Sequence, residues 1–238
     1  MELNEKKHIL EKFKEFIRTN LIANHKKNTE KLTNIKEFNI NPFLLHYLAN
    51  YLEGNTNPES LAKVLVYPRV LGTSINTSFG SMIQRFTSEV LNAYGSTTPG
   101  IDIEFIDFVD KRKKYCQLKS GPNVINHGDI NTIKEHFRKA INLARTNSLK
   151  IQPNDFIFCL IYGEENEKNV FVCELEKDYT VYIGKDFWYH FTGDIEFYKE
   201  LIKAAGEVAQ EVDMKSIVQK VISELSKQIN ERFSELLE

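Results

Sequence analysis

The strongest constraint on the fold comes from residues 99–122, PGIDIEFIDFVDKRKKYCQLKSGP, where two short runs alternate between apolar and polar residues. An alternation with a period of two predicts β-strands, each with one buried face. The charged residues 110–114 lie between the runs and are predicted to form the turn of an antiparallel hairpin. Pairing the strands would bring four polar residues to one surface of the sheet. These are Asp102, Glu104, Gln117 and Lys119.

These residue types suit metal-dependent chemistry on a phosphodiester. Magnesium prefers oxygen ligands and is usually held by one or two carboxylates together with a substrate phosphate. It acidifies a bound water and neutralises charge that builds up on the phosphate. A lysine beside it can position the water and stabilise the transition state. The hairpin therefore favours a nuclease, and the alternative is an ordinary surface hairpin with alternating charges.

The distribution of charge also favours a nucleic-acid partner. Residues 111–150 contain ten lysines or arginines and two acidic residues, a local net charge of +8, whereas the whole chain carries −2. A basic segment beside the predicted metal ligands could neutralise the phosphates of DNA or RNA. The alternative is a solvated helix face that carries Lys134, Arg138, Lys139 and Arg145.

The order of predicted elements favours an α/β fold in which one mixed β-sheet is flanked by helices, with helical additions at both termini. After the hairpin, three apolar runs are predicted strands: residues 156–162, 170–175 and 180–183. We expect a helical N-terminal region over 1–95, a sheet core over 96–190 and a C-terminal helical region over 191–238, together one compact unit.

Turn and cap residues set the limits of the predicted helices, which include residues 42–54, 58–68, 77–93 and 132–147. Asp129 or Asn131 is the expected N-cap of the last of these. The apolar stripe of the C-terminal helix is expected either to close the core or to pack on another chain.

The rest of the composition is that of a cytoplasmic protein. The three cysteines fall in β-like runs and are expected to be buried thiols in a reducing compartment. No apolar run approaches the length that spans a bilayer. The charged, amphipathic N-terminus lacks the apolar centre of a signal peptide.

The hairpin resembles the motif of the PD-(D/E)xK nuclease superfamily. In that motif an Asp begins one strand, an acid-x-Lys lies on the next, and a helix then packs on the sheet. Here Asp102, the triplet Gln117-Leu118-Lys119 and the helix after residue 131 follow the same order. The resemblance makes the predicted core, residues 96–190, a catalytic one.

A larger part of the chain, about residues 41–190, is similar to a narrower group, the type II restriction endonuclease family whose founding member cuts RGGNCCY. The similar stretches are Asn41-Pro42-Phe43, Thr77-Ser78-Phe79-Gly80, Leu118-Lys119-Ser120-Gly121 and Tyr182-Ile183-Gly184-Lys185-Asp186-Phe187-Trp188. The resemblance implies a homodimer that uses Mg²⁺ to cut duplex DNA at a short near-palindrome, with a GGNCC-like core. It also implies a restriction–modification system.

The chain departs from the superfamily pattern at two positions. The proline stands at Pro99 instead of directly before Asp102, and Gln117 replaces the usual acid. An amide oxygen is a legitimate hard ligand but carries no charge. The resemblance assigns metal ligation to Asp102, Gln117 and the Leu118 carbonyl. Glu104 or Glu89 could supply the missing charge.

Lys119 is expected to orient the attacking water, which makes Asp102, Gln117 and Lys119 the catalytic set. The expected DNA contacts are Ser120, Asn123, Asn126, His127, Lys113 and Arg138. For the loop residues the alternative is a capped turn that leads into the next helix. Two functions compete with the restriction enzyme: a Holliday-junction or repair nuclease of the same superfamily, and a catalytically inactive DNA-binding protein on this scaffold.

Overall fold

The computed structural model describes residues 2–90 and 95–237. Its contacts divide the chain into two compact units, each built from two stretches of sequence. The sheet unit comprises Met1–Lys14 and Ile83–Ala205, and the helical unit comprises Glu15–Met82 and Gly206–Glu238. Each unit therefore combines stretches that are distant in the sequence.

The helices are α1 (Leu3–Phe16), α2 (Ala23–Lys31), α3 (Pro42–Glu53), α4 (Pro58–Pro68), α5 (Ile75–Glu89), α6 (His127–Thr146), α7 (Val170–Glu176), α8 (Lys185–Thr192), α9 (Phe197–Ala209) and α10 (Met214–Leu237). The strands are β1 (Ile103–Ile106), β2 (Lys113–Lys119), β3 (Phe156–Leu160) and β4 (Thr180–Ile183). In the described part of the chain, no helix is long and apolar enough to cross a bilayer.

The sheet unit is built on one mixed sheet in the order β1-β2-β3-β4. Strand β1 is antiparallel to β2, whereas β2, β3 and β4 run parallel. Helices lie on both sides of the sheet, so the predicted α/β fold is confirmed. The antiparallel pair is the predicted hairpin, with Lys113 and Lys114 extending β2 into the expected turn.

Each face of the sheet is covered by different helices. On one face, Phe137 of α6 and Val172 of α7 belong to the same buried cluster as Phe158 and Leu160 of β3. On the other face, the ring of Phe105 packs edge-to-face on that of Phe191 in α8, with 5.1 Å between centroids. Trp188 of α8 is also buried, so both aromatic side chains of this helix pack in the core.

The predicted strand over residues 170–175 is wrong, because this segment forms α7. The Asn169 side chain accepts hydrogen bonds from the backbone N–H groups of Phe171 and Val172 and thereby caps the helix. Val172 and Leu175 are buried whereas Val170 is exposed, a spacing of three that fits a helix. Strands β3 and β4 are parallel, so the chain needs a crossover between them, and α7 provides it.

Three smaller expectations also change. Helix α6 starts at His127 instead of residue 132, because Asn126 is its N-cap. Cys116 and Cys159 are buried as expected, but Cys173 is exposed on α7. Helix α5 starts at Ile75 instead of residue 77. The end of the predicted helix over residues 77–93 falls partly outside the described residues.

The helical unit has its own core, formed mainly by α3, α4 and α10. Leu45 and Ala49 of α3, Leu61 of α4, and Leu225 and Ile229 of α10 are buried together. The C-terminal helix therefore closes a core within the chain, which is one of the two alternatives that its apolar stripe suggested.

The opposite face of α3 remains exposed although it is apolar. Phe43 keeps 88% of its surface accessible and Tyr51 keeps 78%, and the rings of Tyr47 and Tyr51 stack with centroids 6.0 Å apart. Leu44, Leu48 and Leu52 are also exposed. We call these six residues the α3 apolar face.

Candidate active site

The strand register brings the predicted catalytic residues to one face of the sheet. Ile103 pairs with Cys116 and Glu104 with Tyr115, so Asp102 lies opposite Gln117 just beyond the end of β1. Directly opposite residues of antiparallel strands point to the same face, and Lys119 follows Gln117 by two residues. The predicted surface arrangement of the hairpin is therefore confirmed, and it lies on the side of the sheet that α6 covers.

The side chain of Asp102 accepts a backbone hydrogen bond from β2 that a carbonyl of a neighbouring strand would otherwise accept. Its backbone N–H donates to the Cys116 carbonyl at 2.9 Å, and its Oδ2 accepts from the Leu118 N–H at 2.7 Å. Desolvation by the surrounding protein raises the pKa of the carboxyl group, and it outweighs the lowering by the Leu118 N–H, Lys119 and His136. A carboxylate that is destabilised in this way gains more from a nearby cation than a fully solvated one.

The Leu118 carbonyl lies on the same side as Asp102. The N–H and C=O of one strand residue point to the same edge, and the Leu118 N–H points towards β1. The next residue faces β3, because the Lys119 carbonyl accepts from the Ile161 N–H at 3.0 Å. The Leu118 carbonyl is therefore directed to the edge of β2 at which the Leu118 N–H meets the Asp102 carboxylate.

The two ends of the Gln117 side-chain amide differ in their hydrogen bonding. Its residue is 9% exposed, and its Nε2 lies 2.9 Å from Nδ1 of His136 on α6. Its Oε1 is buried and has no hydrogen-bond partner among the described residues. A buried oxygen without a partner costs about 1–3 kcal/mol, which an ion or a ligand can recover.

Lys119 is held more loosely. Its Nζ lies 3.7 Å from Oδ1 of Asp129, and its side chain is 42% exposed. Asp129 is itself anchored, because its Oδ2 accepts from the Asn126 N–H at 2.8 Å in the capping box of α6. The ammonium group is thus weakly paired and partly exposed to solvent.

The two alternative carboxylates are already in ion pairs. Oε1 of Glu104 accepts from the Ser96 hydroxyl at 2.5 Å, and its Oε2 lies 2.5 Å from Lys113 Nζ. Glu89 lies on the exposed side of α5 and pairs with Arg85 one turn earlier. Either glutamate would have to break an existing pair before it could bind a metal.

The predicted DNA contacts occupy different environments. Asn123 and His127 are exposed in and next to the loop before α6, and Ser120 is half-buried. Asn126 uses its side chain to cap α6, accepting from Gly128 and Asp129. Its alternative role as a helix cap is therefore what the structure shows.

The basic segment is partly neutralised by acids from outside it. These pairs are Arg112 with Asp155, Lys113 with Glu104, and Lys134 with Asp178. Lys114 is 2% exposed and also contacts an acid, Asp110. Arg138 and Arg145 stay exposed along α6 and line an open depression with Tyr179.

His136 and Asp129 were not predicted as site residues. Both lie on α6, and only the packing of that helix brings His136 to Gln117 and Asp129 to Lys119. The sequence signal was limited to the expectation that this helix packs on the sheet and that Asp129 could cap it.

The donor set fits a hard divalent cation. Asp102 offers a carboxylate, Gln117 an amide oxygen to which no described residue donates, and Leu118 a backbone carbonyl. All three are oxygen ligands of the kind that Mg²⁺ prefers. A cluster of three or more histidine, cysteine or acidic side chains is not found in the described part of the chain, because two of these ligands are of other types.

Comparison with known proteins identifies the family of the chain. A search of curated proteins finds no match to the chain. The sequence model of the family described as type II restriction endonuclease EcoO109I matches residues 11–213 of the 238. That match includes every residue of the site described above. The chain belongs to the type II restriction endonuclease EcoO109I family.

Proposed function

We propose that this restriction endonuclease hydrolyses phosphodiester bonds of duplex DNA in a reaction that depends on Mg²⁺. The target is a short near-palindrome with a GGNCC-like core, and the enzyme acts in the cytoplasm within a restriction–modification system. The observation that carries the metal dependence is the Gln117 Oε1, which is buried and has no hydrogen-bond partner in the described part of the chain, at the position opposite Asp102.

In this proposal Asp102, Gln117 and the Leu118 carbonyl hold the cation. The ion would neutralise charge on the scissile phosphate and acidify a water. Asp102 binds as an anion, and its Leu118 N–H bond fixes the direction of the carboxylate. Lys119 moves from Asp129 to orient the attacking water and to stabilise the negative charge on the phosphate oxygens.

Arg138 and Arg145 could contact phosphates further along the duplex, because both are exposed on α6. Asn123 and His127 lie in or next to the loop between the site and that helix and could contact base edges. Lys113 and Ser120 remain proposed phosphate contacts, although Lys113 would first have to leave Glu104.

Cleavage of unmethylated plasmid DNA with Mg²⁺ tests the function. We expect discrete fragments from the wild-type chain, and no cleavage by Asp102→Ala or Lys119→Ala. Glu196→Ala and Lys139→Ala are matched controls, because both residues are exposed and pair within one helical turn. Cleavage by Asp102→Ala would disprove the site.

Other outcomes would identify the competing functions. A smear without bands would indicate a repair nuclease, and DNA binding without cleavage in Mg²⁺ or Mn²⁺ would indicate an inactive relative. A neighbouring gene for a DNA methyltransferase would support the restriction–modification system.

We further propose that the enzyme is a homodimer that pairs through the α3 apolar face. A fully exposed large side chain presents about 150–250 Å², so these six residues expose roughly 700 Å² in total. That exceeds the usual patch on a monomer, about 300–600 Å², and approaches the about 800 Å² that each partner buries in a standard interface. Two copies also suit a target with two symmetric strands.

Sedimentation velocity tests the dimer. Tyr47→Glu with Tyr51→Glu should convert a dimer into monomers, because charge would be buried at the contact. The matched control is Ile202→Glu, which alters an exposed apolar residue of α9 and should leave the dimer intact. A wild-type monomer, or a dimer in the double variant, would contradict this interface.

A further inference from the structure

A glutamine at a metal site raises a problem that an acid does not. The two oxygens of a carboxylate are equivalent, so either can face a cation. The amide of Gln117 has an oxygen at one end and a donor-only NH₂ group at the other. Only one of the two orientations about the last side-chain bond can bind a metal, so some group has to select it.

His136 makes the contact that distinguishes the two orientations. Its Nδ1 lies 2.9 Å from Gln117 Nε2, and a hydrogen bond there requires Nδ1 to accept. With the ring proton on Nε2 of His136 and Nδ1 as the acceptor, rotating the amide by half a turn would place Oε1 against the Nδ1 lone pair and break the bond. The orientation that keeps this hydrogen bond leaves Oε1 buried and without a hydrogen-bond partner among the described residues, on the sheet face that also carries Asp102.

The imidazole ring is itself held in place. A Cβ atom at Gly100 would lie 2.3 Å from Cγ and 2.7 Å from Nδ1 of His136, so the ring occupies space that a side chain would need. Gly100 also has a φ of 82°, which other residues adopt at a cost. On the helix, Phe137 directly after it and Ile133 three residues before it are buried and anchor the backbone of His136.

We propose that His136 is a positioning residue, seated on Gly100, which holds the Gln117 amide with Oε1 towards the metal. This inference rests on the proposed function, because the cation site is part of it. It explains how a neutral amide serves where relatives of the superfamily pattern have an acid. It also implies that Gln117 and His136 act as a pair, whereas a glutamate at residue 117 would work without the histidine.

A double-mutant cycle measured by Mn²⁺ binding tests the pair. The full chain without DNA is titrated with Mn²⁺, and free Mn²⁺ is measured by electron paramagnetic resonance. We expect His136→Leu to weaken binding by about 10–100-fold, the usual cost of losing a partner of a metal ligand.

The second half of the cycle uses Gln117→Glu as the background. There His136→Leu should change the Mn²⁺ affinity by less than about 3-fold, because either oxygen of a carboxylate can bind the metal and no orientation has to be selected. A loss of the same size in both backgrounds would show that His136 has a merely structural role and would overturn the proposal. Thermal unfolding checks that each variant folds, and His136→Ala replaces His136→Leu if that variant does not.

The same titration separates this inference from the proposed function. If Asp102→Asn bound Mn²⁺ as well as the wild type, the metal site itself would be wrong. If Asp102→Asn lost binding while His136→Leu kept it, only the role of His136 would be wrong.

Discussion

Strand β1 has an aspartate just beyond each end, and the protein treats the two carboxylates in opposite ways. Asp107 is fully buried, and both oxygens lie 2.8 Å from Nδ1 of His190. They also accept from the Val109 N–H at 2.8 Å and the Tyr182 hydroxyl at 3.2 Å. Asp102 is more exposed, and the described residues donate to it through the Leu118 N–H.

Histidine takes part at both ends but in different roles. His190 donates to a carboxylate whose other bonds are already made, and its ring stacks on Tyr182 at 3.9 Å. His136 accepts from an amide whose oxygen has no hydrogen-bond partner among the residues that the structure describes. The comparison suggests a rule for this protein: polar groups with complete bonding hold the fold, and those with incomplete bonding are available for ligands.

The largest effect should come from Asp102→Asn. We expect DNA cleavage to fall by about 10³-fold or more, because a ligand that supplies several kcal/mol of transition-state stabilisation is lost. Single-turnover cleavage in Mg²⁺ measures this. The asparagine oxygen can still accept from Leu118, so the fold should persist.

The same variant has a pH signature without metal. The pKa of Asp102 is raised, so its favourable contribution to folding is complete below the ordinary pKa and is lost as pH rises through the folded value. Asparagine does not ionise, so this loss of folding stability does not occur in the variant. In EDTA, which removes metal ions, the variant should therefore be as stable as the wild type at neutral pH, or more so. A clear drop in melting temperature would mean that Asp102 is structural and would break the comparison.

Asp107→Ala should give the reverse result. Removing it leaves the His190 and Tyr182 donors without their acceptor, at a cost of about 3 kcal/mol in the free energy of unfolding. Urea unfolding measures this. Cleavage per folded molecule at low temperature should remain within about 2-fold of wild type, and a selective loss of cleavage would place Asp107 in the chemistry instead.

Gly100→Ala tests the role of His136 without replacing any of the proposed metal ligands. The positive φ should cost about 1–2 kcal/mol of stability, and the added methyl group would displace the His136 ring. Metal affinity should therefore fall along with the melting temperature. Gly54→Ala is the matched control, because its φ of 72° gives similar strain while its Cβ would meet open space. Equal Mn²⁺ affinity in both variants would contradict the seating of His136.

The alternation of IDIEF and YCQLK was sufficient to predict which face of the hairpin carries Asp102, Gln117 and Lys119. A period of two fixes the face of each residue once the strands pair, and the register confirms it. The fold class followed from the order of elements for the same reason. These properties depend on local patterns, which one sequence contains.

The orientation of Gln117 could not be predicted in this way. It depends on His136, which is 19 residues away on a helix, and on a glycine that makes room for the ring. The segment after Asn169 was equally ambiguous, because a short apolar run suits a strand or a helix until the crossover decides. Likewise, the pairing of Arg112 with Asp155 over 43 residues removed charge from the basic segment.

The smallest effects should come from substitutions of two asparagines near the start of α6, whose side chains also differ in how fully they are hydrogen-bonded. The Asn126 side chain caps α6 and is engaged, whereas the Asn123 side chain makes no hydrogen bond within the described residues. Asn126→Ala should lower stability by about 1 kcal/mol and leave the KM for DNA unchanged.

Asn123→Ala should do the opposite, with an unchanged melting temperature and a KM for DNA raised by a few fold through loss of one contact. Thermal unfolding and steady-state cleavage on the two variants measure both quantities. If Asn126→Ala raised KM without destabilising the protein, an engaged polar group would be contacting DNA. The bonding state of a side chain would then no longer separate structure from function in this fold, even at a helix cap whose two backbone partners are resolved.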